Sequence, residues 1–303
     1  MTAAPDWIAL DWGTTHLRGW FMNRRGEIIA KRESGDGMSG LTKHGFERAL
    51  LRLIGDVLPD THPVDVICCG MAGARQGWIE APYLSVPCCP PGLDQAIRAP
   101  TRHPHLSVRI LPGVSQATPP DVMRGEETQI AGVLAADPGF DGVICLPGTH
   151  CKWAEISGGR IVSFRTFMTG EVFGLLAEQS ILRHSVGATD ADPAAFAEAV
   201  SEGMSHPAEF AARLFRLRAS SLLGAQDPAT ARARLSGLLI GMELAAARRF
   251  WLGRQVVIVG ETRLAERYAQ ALATLGVATA QLDPDKVTPA GLARARMGGS
   301  GTA

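Results

Sequence analysis

Two stretches of the chain alternate short apolar runs with polar turns in the same order. Residues 7–35 read WIALDWGTTHLRGWFMNRRGEIIAKRESG, and residues 143–170 read VICLPGTHCKWAEISGGRIVSFRTFMTG. Each stretch predicts an apolar strand, a tight turn at Gly-Thr, a second strand, a glycine turn and a third strand. Two copies of one meander indicate a duplicated domain with a cleft between the halves.

Helical spacing of apolar residues follows each meander. It predicts helices at 42–57 and 170–184, and helical structure across 191–221 with breaks at two prolines. The remaining predicted elements are an amphipathic helix from after Arg232 to about Phe250, a buried strand QVVIVG ending at Gly260, a helix TRLAERYAQALATLG, a strand VATAQL and a terminal helix TPAGLARARM. This mixture indicates an α/β protein with a domain boundary near Gly113.

Composition narrows the classes of function. The 303 residues are 46% hydrophobic and 20% charged, and 30 basic residues balance 30 acidic ones. Since no net field attracts nucleic acid or an anionic membrane, we expect neither as a partner. The N-terminus resembles no signal peptide and no apolar run reaches the ~20 residues that span a bilayer. We therefore expect a cytoplasmic protein, with cysteines that are buried and reduced because none has C-x-x-C spacing.

The Gly-Thr turns are candidate phosphate sites. A turn of this kind after a strand presents backbone N–H groups and hydroxyls to phosphate oxygens, and two in equivalent places of a repeat are suited to a polyphosphate. Asp11 ends the first predicted strand, at the mouth of the expected cleft. A carboxylate there would hold Mg²⁺ against phosphate oxygens. The alternative is an aspartate that only caps the turn.

Two adjacent carboxylates precede the second meander. Glu126 and Glu127 lie in the string MRGEETQIAGVL. Phosphoryl transfer to an alcohol needs a group that accepts the hydroxyl proton. Because neighbouring residues point in different directions, we expect only one of the two to reach the reaction centre, while the other orients a loop or pairs with Arg124. The alternative is a solvated acidic start of a helix.

Other phosphate and hydrolase motifs fit poorly. The chain has no G-x-x-x-x-G-K-[ST] string, and no G-x-S-x-G elbow or Ser-His-Asp order indicates a hydrolase. Residues 35–40 match G-x-G-x-x-G, but the strand before them belongs to an antiparallel meander rather than to a βαβ unit. We interpret this segment as a flexible loop of the cleft.

Five sequence blocks, in order, resemble the signatures of the 2-dehydro-3-deoxygalactonokinase family. They are DWGTT, GMAGARQGW with EAPY, RGEETQ, LPGTHCKW and FRTFMTGE. The resemblance implies an α/β fold with two ribonuclease-H-like domains of the actin/hexokinase type around an ATP cleft. It also implies Mg²⁺- and ATP-dependent phosphorylation of 2-dehydro-3-deoxy-D-galactonate at O6 during galactonate catabolism.

The resemblance assigns nucleotide roles to both meanders. The implied first phosphate and Mg²⁺ loop consists of Asp11, Gly13, Thr14 and Thr15, and the implied second loop of Gly148, Thr149 and His150. Gly260 would start the helix that backs the adenosine, with Glu261 nearby. Leu146-Pro147 stands where many members of the superfamily have a second aspartate, which leaves the metal dependent on Asp11. Lys152 becomes a candidate for phosphate charge, with a surface lysine as the alternative.

The sugar acid sets requirements of its own. An arginine suits its carboxylate through a bidentate fork, and Arg75 in GMAGARQGW is the first candidate, followed by Arg18 and Arg165. Trp78 is predicted to stack on the sugar, or else to lie in the core. The adjoining loop would consist of Gly37, Met38 and Ser39. Residues 1–113 would form the sugar-acid side, and residues 114–303 the nucleotide side, with a terminal helix that can return to the first domain.

Two other functions remain open at this stage. An exopolyphosphatase-like phosphohydrolase would use a similar fold, with water in place of the sugar hydroxyl. A non-catalytic sugar-sensing module is the other alternative, although no helix-turn-helix precedes Trp7. The expected partner is a small-molecule sugar acid, and the chain is a candidate homodimer.

Overall fold

The computed structural model describes residues 5–59, 61–189 and 192–298. Contacts divide the chain into two units. The first unit runs to Asp141 and also takes in Ile156–Ser163 and the described residues from Pro284 onward. The second unit consists of Gly142–Glu155 and Phe164–Asp283.

The first unit is built on a mixed sheet with the strand order β3-β2-β1-β4-β7-β6, beside a smaller sheet of order β5-β8-β9. The strands are β1 (Trp7–Trp12), β2 (Leu17–Met22), β3 (Ile28–Ser34), β4 (Val64–Gly70), β5 (Tyr83–Ser85), β6 (Ile97–Arg98), β7 (Leu106–Ile110), β8 (Gly113–Gln116) and β9 (Asp121–Met123). Strands β1 to β3 form the predicted antiparallel meander. Strand β4 runs parallel to β1, and β7 parallel to β4.

The second sheet repeats this order. Its strands are β10 (Gly142–Leu146), β11 (Cys151–Ser157), β12 (Arg160–Phe167), β13 (Val256–Val259) and β14 (Thr279–Leu282), arranged β12-β11-β10-β13-β14. Strands β10, β13 and β14 are parallel. Strand for strand, this matches β3-β2-β1-β4-β7 of the first sheet, so the prediction of a duplicated α/β domain is confirmed.

Some of the helices are capped at their N-terminus by a side chain, and others are not. They are α1 (Phe46–Ile54), α2 (Glu126–Ala136), α3 (Thr169–Glu178), α4 (Pro193–Ser205), α5 (Phe210–Leu222), α6 (Pro228–Ala246), α7 (Arg248–Trp251), α8 (Thr262–Ala273) and α9 (Pro284–Arg296). Helix α6 starts before Arg232, because Asp227 accepts the Ala229 and Thr230 N–H groups at 2.9 and 3.1 Å. Ala191, where helical structure was predicted to begin, lies outside the described residues.

The contact division differs from the predicted boundary near Gly113. Strands β8 and β9 pair within the smaller sheet of the first unit, and α2 packs against α9. Residues 114–141 therefore group with the first unit. Helix α9 also belongs to this unit, a return that the sequence prediction allowed.

The first sheet is buried on both faces. Ile8, Leu10 and Trp12 pack into a core with α1, whereas Trp7 and Ala9 pack against residues of α9. Burial on both faces explains why β1 reads as an almost continuous apolar run. Asp11, near the end of this strand, is the one charged residue in an otherwise apolar and buried segment.

The cysteines are free thiols. Cys68, Cys69, Cys145 and Cys151 are buried as expected, but Cys88 is partly exposed and Cys89 is exposed. The prediction of buried cysteines is therefore wrong for Cys89, which lies outside regular structure. In the part of the chain that the structure describes, every helix is too short or too polar to traverse a bilayer.

Candidate active site

Asp11 lies near the end of β1, in register with Arg18 on β2 and Cys69 on β4. Its Oδ2 is 3.6 Å from Nη1 of Arg18, and its Oδ1 accepts a weak bond from Sγ of Cys69 at 3.7 Å. Only 17% of the Asp11 side chain is exposed. Burial raises the pKa of Asp11 above its usual range; the charge of Arg18 opposes this shift and that of Glu126 adds to it.

A hard divalent cation fits the chemistry of this carboxylate. Carboxylate oxygens are preferred Mg²⁺ ligands, and a carboxylate withdrawn from water gains from a nearby positive charge. Among the described residues no group of three or more His, Cys, Asp or Glu side chains could hold a metal ion.

Gly70 lets the backbone approach Asp11 closely. Its φ is +84°, and a Cβ atom there would lie 2.6 Å from the Trp12 carbonyl oxygen and 3.1 Å from Oδ1 of Asp11. A Cβ atom on Gly125, before α2, would lie 3.4 Å from Cα of Gly70. The ends of β1 and β4 and the start of α2 therefore meet beside Asp11. Gly70 had no predicted role, although a glycine at the end of an apolar strand was the available signal.

The two glutamates at the start of α2 have different environments. Glu126 is partly exposed, and its Oε2 accepts the N–H of Arg124 at 3.0 Å. Glu127 is fully buried, and its two carboxylate oxygens face the N–H of Gly125 at 2.9 and 2.7 Å. Burial, with a further contribution from the charge of Glu126, raises the pKa of Glu127 to about 8. Of the pair, Glu126 is the carboxylate that solvent or a ligand can reach.

The loop Gly37–Ser39 packs directly on the first Gly-Thr turn. The Met38 N–H donates to the Gly13 carbonyl at 3.1 Å, and the Ser39 N–H and Oγ both donate to the Thr14 carbonyl at 2.9 Å. A Cβ atom on Gly37 would collide with the backbone of Thr15. The predicted phosphate loop and the predicted sugar loop are thus one assembly, with the Thr14 and Thr15 side chains exposed.

The predicted sugar-binding residues lie in different settings. Arg75 is exposed in the loop that follows β4. Trp78 is only 6% exposed and packs in the core, with ring centroids 6.0 Å from Trp12 and 6.1 Å from Phe46. Phe46 stacks on its ring and Trp12 meets it edge-on, but Trp78 also lines a cavity of about 860 Å³, so its stacking on the sugar stays a prediction. Arg165 is on β12, where Nη1 donates to the Ala246 carbonyl at 3.4 Å.

The second Gly-Thr turn joins β10 to β11 and is supported by the start of α3. The Glu171 N–H donates to the Thr149 carbonyl at 2.9 Å, and Oε2 of Glu171 is 2.5 Å from Nε2 of His150. A Cβ atom on Gly170 would collide with the carbonyl oxygen of Gly148. Gly170 and Glu171 belong to the block FRTFMTGE, which contributes to the family resemblance, but neither had a predicted role.

Lys152 lies close to the second turn. It is 5% exposed, and Nζ donates to the His150 carbonyl at 3.3 Å. Lys152 is therefore a buried lysine rather than the surface lysine of the alternative, and its role in phosphate charge stays a prediction. Gly260 follows β13, and a Cβ atom there would lie 2.8 Å from Cγ of Pro147. Glu261 caps α8 by accepting the Leu264 N–H at 3.2 Å.

A cavity of about 830 Å³ opens in the second unit beside this turn. Its volume lies in the range of small-molecule and cofactor sites. The lining combines backbone at the turn with polar side chains on α8, and includes Gly148, Thr149, Thr169, Gly170, Glu261 and Arg263. Gly148 and Thr149 of the predicted second loop and Glu261 thus line one cavity, whereas His150 and Gly260 are not part of its lining.

Comparisons with known proteins agree with this arrangement. The family model described as 2-keto-3-deoxy-galactonokinase matches residues 11–295. A Rhizobium meliloti (strain 1021) protein named as a 2-dehydro-3-deoxygalactonokinase, DgoK1, is 40% identical over 303 residues, covering 97% of this chain and 98% of the relative. The Escherichia coli (strain K12) 2-dehydro-3-deoxygalactonokinase is 34% identical over 289 residues, covering 94% and 96%.

Solved structures give the same result. A Sinorhizobium meliloti crystal structure that carries the name 2-dehydro-3-deoxygalactonokinase matches with a TM-score of 0.87 at 39% identity, over 95% of this chain and 97% of that one. Component A of the Acidaminococcus fermentans (R)-2-hydroxyglutaryl-CoA dehydratase matches with a TM-score of 0.54 at 14% identity, over 95% and 96%, and shares the fold alone. The predicted α/β fold with two repeated sheets is confirmed. The chain belongs to the 2-keto-3-deoxy-galactonokinase family.

Proposed function

We propose that this chain transfers the γ-phosphoryl group of ATP to O6 of 2-dehydro-3-deoxy-D-galactonate, giving the 6-phosphate and ADP, in galactonate catabolism. The observation that carries the proposal is 40% identity, over nearly the whole of both chains, to a relative that bears the name of this kinase. The environments of the carboxylates in the first unit support it, because they suit the roles that phosphoryl transfer to an alcohol requires.

The first unit supplies the reacting carboxylates. Asp11 would hold Mg²⁺, which when bound offsets charge on the phosphate oxygens of ATP. Glu126 accepts the proton of the sugar's 6-hydroxyl as that oxygen bonds to phosphorus, because it is the accessible member of the glutamate pair. Glu127 keeps the turn at Gly125 in place through its bonds to the Gly125 N–H.

The second unit binds the nucleotide. The 830 Å³ cavity accepts the adenosine moiety, and the turn at Gly148 and Thr149 binds phosphate oxygens. Two interactions support this turn from behind: Lys152 donates to the His150 carbonyl, and Gly170 packs against Gly148.

Arg75 binds the carboxylate of the sugar acid. Its guanidinium is exposed in the loop after β4, the strand that ends beside Asp11. A guanidinium fork pairs with a carboxylate through two parallel hydrogen bonds, whereas a neutral hexose offers no such partner. This pairing makes the enzyme selective for sugar acids.

The test is a comparison of kcat/KM among candidate acceptors with ATP. 2-Dehydro-3-deoxy-D-galactonate is expected to exceed galactose, glucose and glycerol by roughly 30-fold or more, the equivalent of ~2 to 5 kcal/mol for one charge-assisted pair. Arg75→Ala should remove most of this preference. Arg25→Ala, at an exposed arginine in the turn between β2 and β3, is the matched control and should retain it.

Four outcomes separate the alternatives. A neutral sugar or glycerol as the best acceptor would contradict the sugar-acid assignment. If the C4 epimer, 2-dehydro-3-deoxy-D-gluconate, is the best acceptor, only the stereochemical part fails. Polyphosphate hydrolysis in place of sugar phosphorylation would support the exopolyphosphatase-like function, and sugar binding without turnover would support the sensing module.

A further inference from the structure

One buried carboxylate connects three elements of the second unit. Glu243, on α6, is 2% exposed. Its Oε1 accepts the indole N–H of Trp153 on β11 at 2.7 Å, and its Oε2 accepts the hydroxyl of Tyr268 on α8 at 2.8 Å. The hydroxyl of Thr169, at the start of α3, also donates to Oε2. An ionised carboxylate is a pure acceptor with about four lone-pair sites, so it can receive these donors together.

Two of the three donors belong to the wall of the 830 Å³ cavity. Thr169 and Tyr268 line it, as does Ile240, one turn before Glu243 on α6. Trp153 does not line it and approaches the carboxylate from the sheet. Glu243 therefore lies directly behind the cavity wall and ties that wall to the sheet.

The contacts continue from Glu243 to the second Gly-Thr turn. Thr169 precedes Gly170, which packs against the carbonyl of Gly148, and the N–H of Glu171 donates to the Thr149 carbonyl. The position of the α3 start therefore sets the position of this turn. The hydrogen bond from the Thr169 hydroxyl to Glu243 therefore helps to hold the start of α3, and with it the turn, in place.

We propose that Glu243 is a positioning residue for nucleotide binding, which holds the start of α3 and the face of α8 at the spacing that an adenine nucleotide requires. The proposal rests on the proposed kinase function and adds a residue that never touches the substrate. An unpaired carboxylate would not persist in this interior, and the donors offset the cost of its burial. Burial raises the pKa of Glu243, against the effect of the groups that donate to it, which include Cys151 besides the three above.

The direct test is Glu243→Gln, which keeps the size and one acceptor oxygen but replaces the other with an N–H donor. The KM for ATP and the dissociation constant of ADP are expected to rise about 10-fold, a difference of ~1.4 kcal/mol. The KM for the sugar acid should stay within about twofold, since Arg75, the residue proposed to bind its carboxylate, lies in the other unit. A residue with a merely structural role would lower the thermal midpoint without this split between the two KM values.

The matched control is Glu202→Gln, the same substitution in the same unit. Glu202 pairs with Arg213 at 2.7 Å and Arg234 at 2.6 Å and does not line the 830 Å³ cavity. Glu202→Gln should lower the thermal midpoint and leave the KM for ATP unchanged.

Tyr268→Phe decides the question if Glu243→Gln fails to fold. It removes one hydroxyl and should weaken ADP binding, as Glu243→Gln does. Where both single variants fold, the double variant should bind ADP no more weakly than the worse of the two. Folded variants with the wild-type ADP dissociation constant would overturn the proposal. ADP titration needs no sugar, so a chain that binds ADP but phosphorylates no sugar acid would contradict the proposed function separately.

Discussion

Replacing Asp11 with asparagine is expected to lower kcat by about 10³-fold while the fold persists. Asparagine has the same size, so the close approach of Gly70 and the contact with Cys69 are kept. It lacks the negative charge that a divalent cation needs, and it leaves Arg18 without its carboxylate partner. The measurement is kcat with saturating ATP and sugar acid across a Mg²⁺ titration, together with the thermal midpoint of each protein.

Asp6→Asn provides the matched control. Asp6 pairs with Arg24 at 2.9 Å, where 89% of the Arg24 side chain is exposed, and exposed pairs contribute little. This variant should retain wild-type kcat. Near-normal turnover of Asp11→Asn at ordinary Mg²⁺ concentrations would contradict the role of Asp11 as the metal ligand.

The Glu126→Gln variant is expected to lose between about 10² and 10⁴ in kcat, the contribution typical of a general base. Glutamine at this position can still accept the Arg124 N–H bond, so the start of α2 should remain folded. What it cannot do is take up the proton of the sugar hydroxyl. Single-turnover measurement of sugar-phosphate formation isolates this step from product release.

Glu127→Gln is the control for that experiment. With a pKa of about 8, Glu127 is largely protonated near neutral pH, so a neutral amide resembles its resting state and kcat should change less than about tenfold. A large loss in Glu127→Gln with a mild effect in Glu126→Gln would reverse the assignment. Two mild variants would show that neither residue is the base.

The raised pKa of Glu127 also predicts how the stability of the protein depends on pH. A folded-state pKa raised from 4.5 to about 8 means that the native protein binds this proton more tightly than the unfolded chain. The stabilisation from Glu127 is then fully present below pH 4.5 and is lost as the pH rises to about 8. The stability difference between wild type and Glu127→Gln in urea should therefore shift against wild type across that window.

The duplicated fold was predictable because its signal is local. In both halves, apolar runs separated by Gly-Thr and glycine turns fix the meander, and the second copy confirms the interpretation of the first. The position of Asp11 near the end of a buried strand was predictable from the same local pattern. A lone carboxylate at the end of an apolar strand conflicts with burial and so draws attention to that residue. Which of Glu126 and Glu127 is buried depends on contacts with Gly125 and on packing that their shared sequence does not show.

Side-chain environments that the sequence does not show depend on long-range packing. Trp78 is buried because α1 brings Phe46 against it, and Lys152 is buried because β11 lies inside its sheet. Glu243 reads in the sequence as an ordinary glutamate of an amphipathic helix. Its environment appears only when β11, α3 and α8 bring their donors to it.

The most direct measurement for the proposed function is nuclear magnetic resonance of the reaction products. The protein is incubated with Mg²⁺, ATP and 2-dehydro-3-deoxy-D-galactonate, and ADP and phosphorus signals are followed together. We predict one phosphomonoester per ADP, with phosphorus coupling to the protons and carbon at position 6 of the sugar acid. ADP formed with inorganic phosphate and no sugar phosphate would contradict the account, as would a phosphate on any other position.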